Sequence, residues 1–377
     1  MIKDCKKKII SFFSFISLLI SIISFFIWIP NLFTNSSNRF CLIAASFVLQ
    51  NNTHNMNFKN AIPKKNNEKD IFSDLINLKK DININDNNSK STSDDNNILE
   101  IINSVPIFEL PHNENETTNK VIECSFGASG TKYENIYINN KTNVNIDIAK
   151  KLSERPDINI KKDGTPQVLI VHTHTTEAYI DKDQGFYYQN FSPRSKDPKF
   201  SVVQVGNAIC KSLENEQIKC IHDTTCHDDP AYTGSYKRSE ETINKILSKY
   251  PSIQVVLDIH RDTIENKERN KIKPTFTYNS RKGAQIMIIS GCDENGKLDF
   301  PDWQYNLRFA LRLQKQVESM YPGMTRSLLF KEARYNMHKT HGSLLIEVGS
   351  DVNTLNEAVY SGALLGKALG EVLNKLN

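Results

Sequence analysis

From Pro166 to the end of the chain, short runs of almost unbroken apolar residues alternate with longer stretches whose apolar residues recur every three or four positions. The runs are VLIV (168–171), KCIH (219–222), IQVVLDI (253–259), AQIMIIS (284–290) and SLLIEVG (343–349). A strand with one wet face alternates polar and apolar residues. A strand that does not alternate must be covered on both faces, as in a parallel sheet between helices. The intervening SVVQVGNAICKSLENE, RSEETINKILSKY and WQYNLRFALRLQKQVESMY carry helical spacing. NTLNEAVYSGALLGKALGEVLNKL closes the chain as a helix with Asn353 as its expected cap. The pattern predicts an α/β domain over residues 166–377, a mostly parallel sheet with helices on both faces.

Ligands of such sheets bind outside the carboxyl ends of the strands, and that is where the polar residues fall. His172 and His174 follow the first run, in VHTHTTEAY; His260 ends the third; Glu347 sits in the carboxyl-terminal part of the last. Two histidines and a carboxylate with an open fourth position form the ligand set of a catalytic zinc, which lowers the pKa of its water to about 7. His174, Glu177 and His260 are the expected ligands, and Glu347 is the expected base that takes the water's proton and passes it to a leaving amine. Strand alternation puts His172 on the side of His174, as a competing ligand or an outer partner of one. In LDIHRD (257–262), Asp258 can fix the tautomer of His260. Arg261 can bind a carboxylate or stabilise an oxyanion, or else form an ordinary ion pair at the sheet edge. HDDPAYTGSYKRS (227–239) reads as a turn-rich loop entering a helix, with Tyr236 and Arg238 as candidate substrate contacts. His338 and His341 precede the last strand and are read as structural, Trp28 as a membrane-interface residue and Trp303 as core.

The amino-terminal part is of a different kind. MIKDCKKK precedes the uncharged IISFFSFISLLISIISFFIWI (9–29), and about 20 such residues suffice to cross a bilayer as a helix. The lysines place the amino terminus in the cytoplasm and everything after Pro30 outside. No cleavage site follows directly, although the Ala-Ala-Ser within CLIAASFVL (41–49) could permit cutting. The reading is therefore a single-pass membrane anchor at 1–33 and an Asn-rich, disordered tether at 34–119. A small β-rich lead-in at 120–165 and the α/β domain then face outward. A net charge of +4 with no basic cluster argues against nucleic acid as a partner. Seven scattered cysteines without a Cys-x-x-Cys indicate neither a zinc ribbon nor a disulfide framework, and no bridge of consequence is expected.

With VLIVHTHTTEAY, HDDPAYTGSYKRSEETINKIL, VVLDIHRD, the YPG of 321–323 and RYNMHKTHGSLLIEVGSDVNTLNEA together, the sequence resembles the stage II sporulation protein P family of endospore-forming bacteria. The resemblance covers roughly residues 120–377, and the anchor with its spacer is similar as well. YNM stands at 335–337 where the family pattern has YNQ. The resemblance implies a zinc-dependent cell-wall hydrolase similar in fold to the N-acetylmuramoyl-L-alanine amidases. Such an enzyme cuts the amide between muramic acid and the first peptide residue of peptidoglycan, and is also credited with cutting peptide cross-links. It also implies stage II sporulation proteins D and M as partners at the septal and engulfing membranes. A carboxypeptidase trimming stem peptides and a non-catalytic wall-binding scaffold are the rival classes; a pure binder would have no need of a base at Glu347.

Overall fold

The computed structural model describes residues 93–109, 116–127 and 129–376. The expected anchor and most of the expected tether lie outside them, and no described helix is long and apolar enough to cross a membrane. In chain order, helix α1 (Ser93–Asn103) precedes strands β1 (Thr118–Cys124), β2 (Thr131–Tyr133) and β3 (Ile136–Asn140) and helix α2 (Ile148–Ser153). Then come β4 (Val168–Val171), β5 (Phe186–Tyr188), α3 (Val203–Asn215), β6 (Cys220–His222), α4 (Ser235–Lys249) and β7 (Val255–Asp262). β8 (Lys271–Tyr278), β9 (Arg281–Ala284), β10 (Ile286–Cys292), α5 (Trp303–Met320), β11 (Leu328–Glu332), β12 (Leu344–Ser350) and α6 (Leu355–Lys375) complete the chain.

The strands form an eight-stranded sheet of order β2-β3-β11-β10-β12-β7-β4-β6 and a four-stranded sheet of order β5-β1-β8-β9. Both are mixed, which corrects the expectation of a mostly parallel sheet. β12, β7, β4 and β6 run parallel to one another, but β10 is antiparallel to β12, and β11 and β3 follow the direction of β10. The cause lies between Asp262 and Ile286. A parallel neighbour requires a crossover, usually a helix, and the chain instead makes the strand pair β8–β9 and enters β10 from the far end.

Helices do cover both faces, unequally. The main core packs β3, β11, β10, β12, β7 and β4 against α3, α5 and α6, with Ile209, Leu313 and Leu369 fully buried. On the other face, among the described helices, only α4 packs, and its cluster (Leu169, Val171, Ile243, Ile253, Val256) reaches no further than β7. Three departures from the sequence reading follow from local chemistry. The end of the Asn-rich stretch is helical, because ILEII inside α1 supplies an apolar stripe, and Ile101 and Ile102 join the main core. The last helix is capped by Thr354, not Asn353: Thr354 and Glu357 form a capping box, while Asn353 Oδ1 accepts from Ser350 N at 2.8 Å. Cys210 of α3 and Cys220 of β6 form a disulfide, where no bridge of consequence was expected.

Candidate metal centre

β4 ends at Val171, and the chain leaves it in a turn closed by Glu177 N donating to His174 O (3.0 Å). Two carboxylates pin that turn. Asp258 accepts from Thr173 N (2.8 Å) and Thr173 Oγ1 (2.6 Å). Asp228 accepts from Thr176 N (3.1 Å) and Thr176 Oγ1 (2.7 Å), and its Oδ2 holds Arg194 at 2.7 Å. Asp258 and His260 share one face of β7 by alternation, and His260 lies opposite Glu347 in the parallel register with β12. Directly after Glu347 the register shifts. Gly349 (φ +68°) makes that bulge possible, since a Cβ there would lie 2.6 Å from Asn353 Oδ1.

These elements bring His174, Glu177, His260, Asp258 and Glu347 together. The rings of His174 and His260 stand 5.2 Å apart, edge to face. His260 Nδ1 is 3.4 Å from Glu177 Oε2, and its Nε2 is 2.9 Å from Asp258 Oδ1 but out of line for a hydrogen bond. Burial would depress the His260 pKa; flanking Asp258 and Glu177 overcome it and hold the imidazole well above its ordinary value. The Asp258 and Glu177 carboxyls are in turn held below the ordinary range by His260, against burial. Glu347 goes the other way. Burial, against the pull of His260, pushes its carboxyl up to about 8, and Glu347 Oε2 is sealed from solvent with no hydrogen-bond partner.

His172 is elsewhere. Its Nδ1 donates to Ile259 O (2.9 Å) and its Nε2 meets His222 Nε2 (2.8 Å), whose ring reaches the Asn207 side-chain amide (2.9 Å). Burial, and the second ring beside it, depress His172 to about 3, and burial depresses His222 to about 4. The pair sits against α3 where Gly206 offers no side chain; a Cβ there would lie 2.4 Å from His222 Nε2. Strand alternation does not carry His172 and His174 to one side, because the strand is over before either residue.

Arg261 and Arg238 are spent on the scaffold. The Arg261 guanidinium donates to Ala178 O (3.0 Å), Pro193 O (2.7 Å) and Thr263 Oγ1 (2.9 Å). That of Arg238 gathers the loop before α4 through His227 O (2.6 Å), Thr233 O (3.3 Å) and Ala231 O. The Tyr236 ring does flank the cluster, parallel to His260 at 6.5 Å and edge-on to His174 at 5.6 Å. His338 and His341 pair with Glu240 and Asp157, and Trp303 packs on Phe330 in the core. Thr173, Asp228 and Tyr232 were not singled out in the sequence. Tyr232 stacks on His174 at 4.3 Å with 12° between the planes, and Arg194 lies 5.1 Å over its ring.

The donor set suits zinc: two imidazoles and a carboxylate, no thiolate, and a further carboxylate beside them. The unpartnered Glu347 Oε2 is an acceptor waiting for a donor that the described residues do not supply. As they stand, no three His, Cys, Asp or Glu side chains among the described residues close around one point as a metal would require. The residue types fit the ion in chemistry and neighbourhood; holding it would require the side chains to move.

The α/β domain gathers two histidines and three carboxylates toward the carboxyl ends of its parallel strands, the region where sheets of this kind bind ligands. The chain is a member of the stage II sporulation protein P (SpoIIP) family, whose profile matches residues 35–370. It is 26% identical over 201 residues to the stage II sporulation protein P of Bacillus subtilis (strain 168); the alignment covers 50% of this chain and 47% of that one, about half the length of each. In structure it is similar to the N-acetylmuramoyl-L-alanine amidase AmiC2 of Nostoc punctiforme, at 12% identity and a TM-score of 0.32, over 58% of this chain and 98% of that one. It is similar also to the apo N-acetylmuramyl-L-alanine amidase Ami1 of Mycobacterium abscessus, at 13% identity and a TM-score of 0.32, over 56% of this chain and 98% of that one.

Proposed function

We propose that the protein is a membrane-anchored peptidoglycan hydrolase of sporulation, with one zinc ion per chain held by His174, Glu177 and His260. The observation that carries the reading is the placement of Glu347, buried and unpartnered at Oε2, directly across the strand register from His260. Bound zinc would supply a water acidified to a pKa of about 7. Around it the chain's own residues have distinct tasks. Asp258, fixed by Thr173, lies close to the His260 ring on one side while Glu177 lies on the other, and together they favour its charged form. Glu347 would take a proton at its unpartnered oxygen, once a bound cation beside it keeps the carboxyl ionised, and return it to the leaving nitrogen. Tyr236 and Tyr232 wall the His174 ring from bulk water.

The scissile bond is the amide between N-acetylmuramic acid and L-alanine, with peptide cross-links as a second target. The protein acts on the outer face of the membrane together with stage II sporulation proteins D and M. The test is mass spectrometry of purified peptidoglycan digested by the full-length protein, with and without chelator, beside metal analysis of the His260→Ala protein. Chelator-sensitive release of free stem peptides and loss of zinc in the variant are expected. Wild-type zinc content in His260→Ala overturns the ligand set, release of terminal residues alone makes the enzyme a carboxypeptidase, and no release at all leaves a wall-binding scaffold.

A further inference from the structure

The face of the sheet that carries Glu347 is covered by α4 only as far as β7. Beyond it, Met287 of β10 and Leu329 of β11 are half-buried, whereas Ile289 and Gly291 on the same face are buried, Gly291 beneath Ala333 O and Met337, so residues 333–337 roof this part of the face. Register carries this floor outward from the cluster. Glu347 pairs with Met287, and Gly291, four residues along β10, pairs with Lys331. Pairing and alternation put Lys331 on the same face as Glu347. The two α-carbons are about 16 Å apart, given ~3.3 Å per residue along a strand and ~4.8 Å between strands.

Above the floor a row of side chains connects the two ends. The Tyr236 ring, which flanks His260 and His174, lies 5.4 Å from the ring of Tyr335. Lys331 Nζ stands 5.4 Å over the Tyr335 ring and donates to its hydroxyl at 3.0 Å. Among the described residues Lys331 has no carboxylate partner; the adjacent Glu332 is turned to Asn295 (2.8 Å). The segment presenting this row is strained. Tyr335 and Asn336 both adopt left-handed backbone conformations (φ 41° and 57°), rare for a bulky tyrosine. Asn336 Nδ2 holds the segment against α4 by donating to Tyr236 O and Ser239 Oγ, each at 3.0 Å. Strain of this kind persists where the surroundings impose it, and it gathers at ligand clamps.

We propose that Lys331 and Tyr335, continuous with Tyr236, form a subsite for a carboxylate on the peptide side of the scissile bond, so that an acidic stem peptide lies along this row of rings. The identity of the peptide rests on the hydrolase reading; the carboxylate subsite does not. Once the lactyl carboxyl of the sugar is in the amide, the free carboxylates of the polymer are on its peptide. The gap between Lys331 and Glu347 is spanned by about five extended residues.

The test uses zinc-stripped full-length protein in detergent. It measures binding of a soluble stem tetrapeptide with free carboxylates, of its fully amidated twin, and of a peptide-free glycan fragment. The wild type is expected to prefer the acidic peptide. Lys331→Gln should weaken that peptide about 10- to 100-fold with little change for the twin, and Lys331→Arg should restore it. Tyr335→Phe, which keeps the ring and removes the hydroxyl that steadies the lysine, should fall between. Equal binding of the two peptides by the wild type, no binding of either, or an acidic-peptide affinity unchanged in Lys331→Gln overturns the subsite. Lys331-dependent binding of the glycan instead overturns the peptide assignment. Lys331-dependent peptide binding by a protein that cleaves no wall would fail the hydrolase reading and leave the subsite standing.

Discussion

Two of the charge clusters among the described residues are finished to different degrees. In the smaller sheet, Lys273 of β8 is fully buried yet meets Asp183 at 2.7 Å, Glu357 at 3.1 Å and Glu123 at 3.4 Å; burial alone would lower its pKa, and Glu357 and Asp183 raise it. Around His260 the same residue chemistry leaves Glu347 Oε2 unpartnered and His260 Nε2 out of line with its acid. A cluster whose task is to hold the fold satisfies its own atoms, because an unpaired buried charge is costly. A cluster that leaves atoms free has acceptors left for a ligand, although Asp351 Oδ1, beside Lys271, is unpartnered outside the proposed centre as well.

The contrast breaks first at Glu347. Glu347→Gln should retain zinc and lower wall hydrolysis about 10²–10⁴-fold. In the zinc-free protein the same change should stabilise. The wild-type carboxyl rises from an ordinary 4.5 to about 8, so the folded state holds a proton that the unfolded state gives up, and stability falls as pH rises through that window. Removing the group should recover on the order of 1–3 kcal/mol at pH 7 in urea unfolding. A Glu347→Gln protein that is both active and less stable would place Glu347 among the scaffold residues. Lys273→Met should do the opposite, losing about 3–5 kcal/mol by leaving Glu357 buried beside no cation, with zinc content unchanged. A stable Lys273→Met protein would show that this cluster is dispensable, and the distinction would fail.

The His172–His222 pair supplies a third, uncharged case. Both rings are neutral when folded, with pKa values depressed to about 3 and about 4. The unfolded chain therefore takes up protons first, and stability should fall as pH drops from about 6.5 toward 4, on the order of 1–3 kcal/mol for His222. Unfolding free energies of wild type and His222→Gln across that range decide it, since the variant should show a flatter profile; parallel profiles would remove the pair from the account. The smallest effect is at Thr354. Thr354→Ala breaks the capping box but leaves Glu357 with Lys273, and should cost about 1 kcal/mol. A loss as large as that of Lys273→Met would mean that Thr354 and Lys273 act as one unit through Glu357.

Much of the candidate site was legible because its residues lie in or just after strands that announce themselves. VLIV, IQVVLDI and SLLIEVG lack the alternation of half-exposed strands, so His174, His260 and Glu347 could be assigned to one crevice without a structure, although Glu347 proves to be the middle residue of β12. Alternation misled at His172, where the strand had already stopped, and the free look of Arg261 and Arg238 hid carbonyl partners contributed by loops. The smaller sheet was invisible for a physical reason. β8 (KIKPTFTY) carries Pro274 and two lysines whose charges are neutralised by acids distant in sequence, so its burial leaves little apolar signature. The reversal at β10 was unreadable from its own composition, since direction is set by what connects it.

β3 covers the outer edge of β11 by pairing Ile138 with Leu328, and β1 seats Val121 beside Lys271. The strands made earliest are thus sewn to strands made late. During synthesis they wait as open edges with ladder groups unpaired, the form in which chains stick to their neighbours. Pairings so distant in sequence also slow folding, because loop closure must precede its reward. A fragment begun at Pro166 would keep every residue of the proposed centre and lose both seams, giving a protein complete in its chemistry and prone to clump.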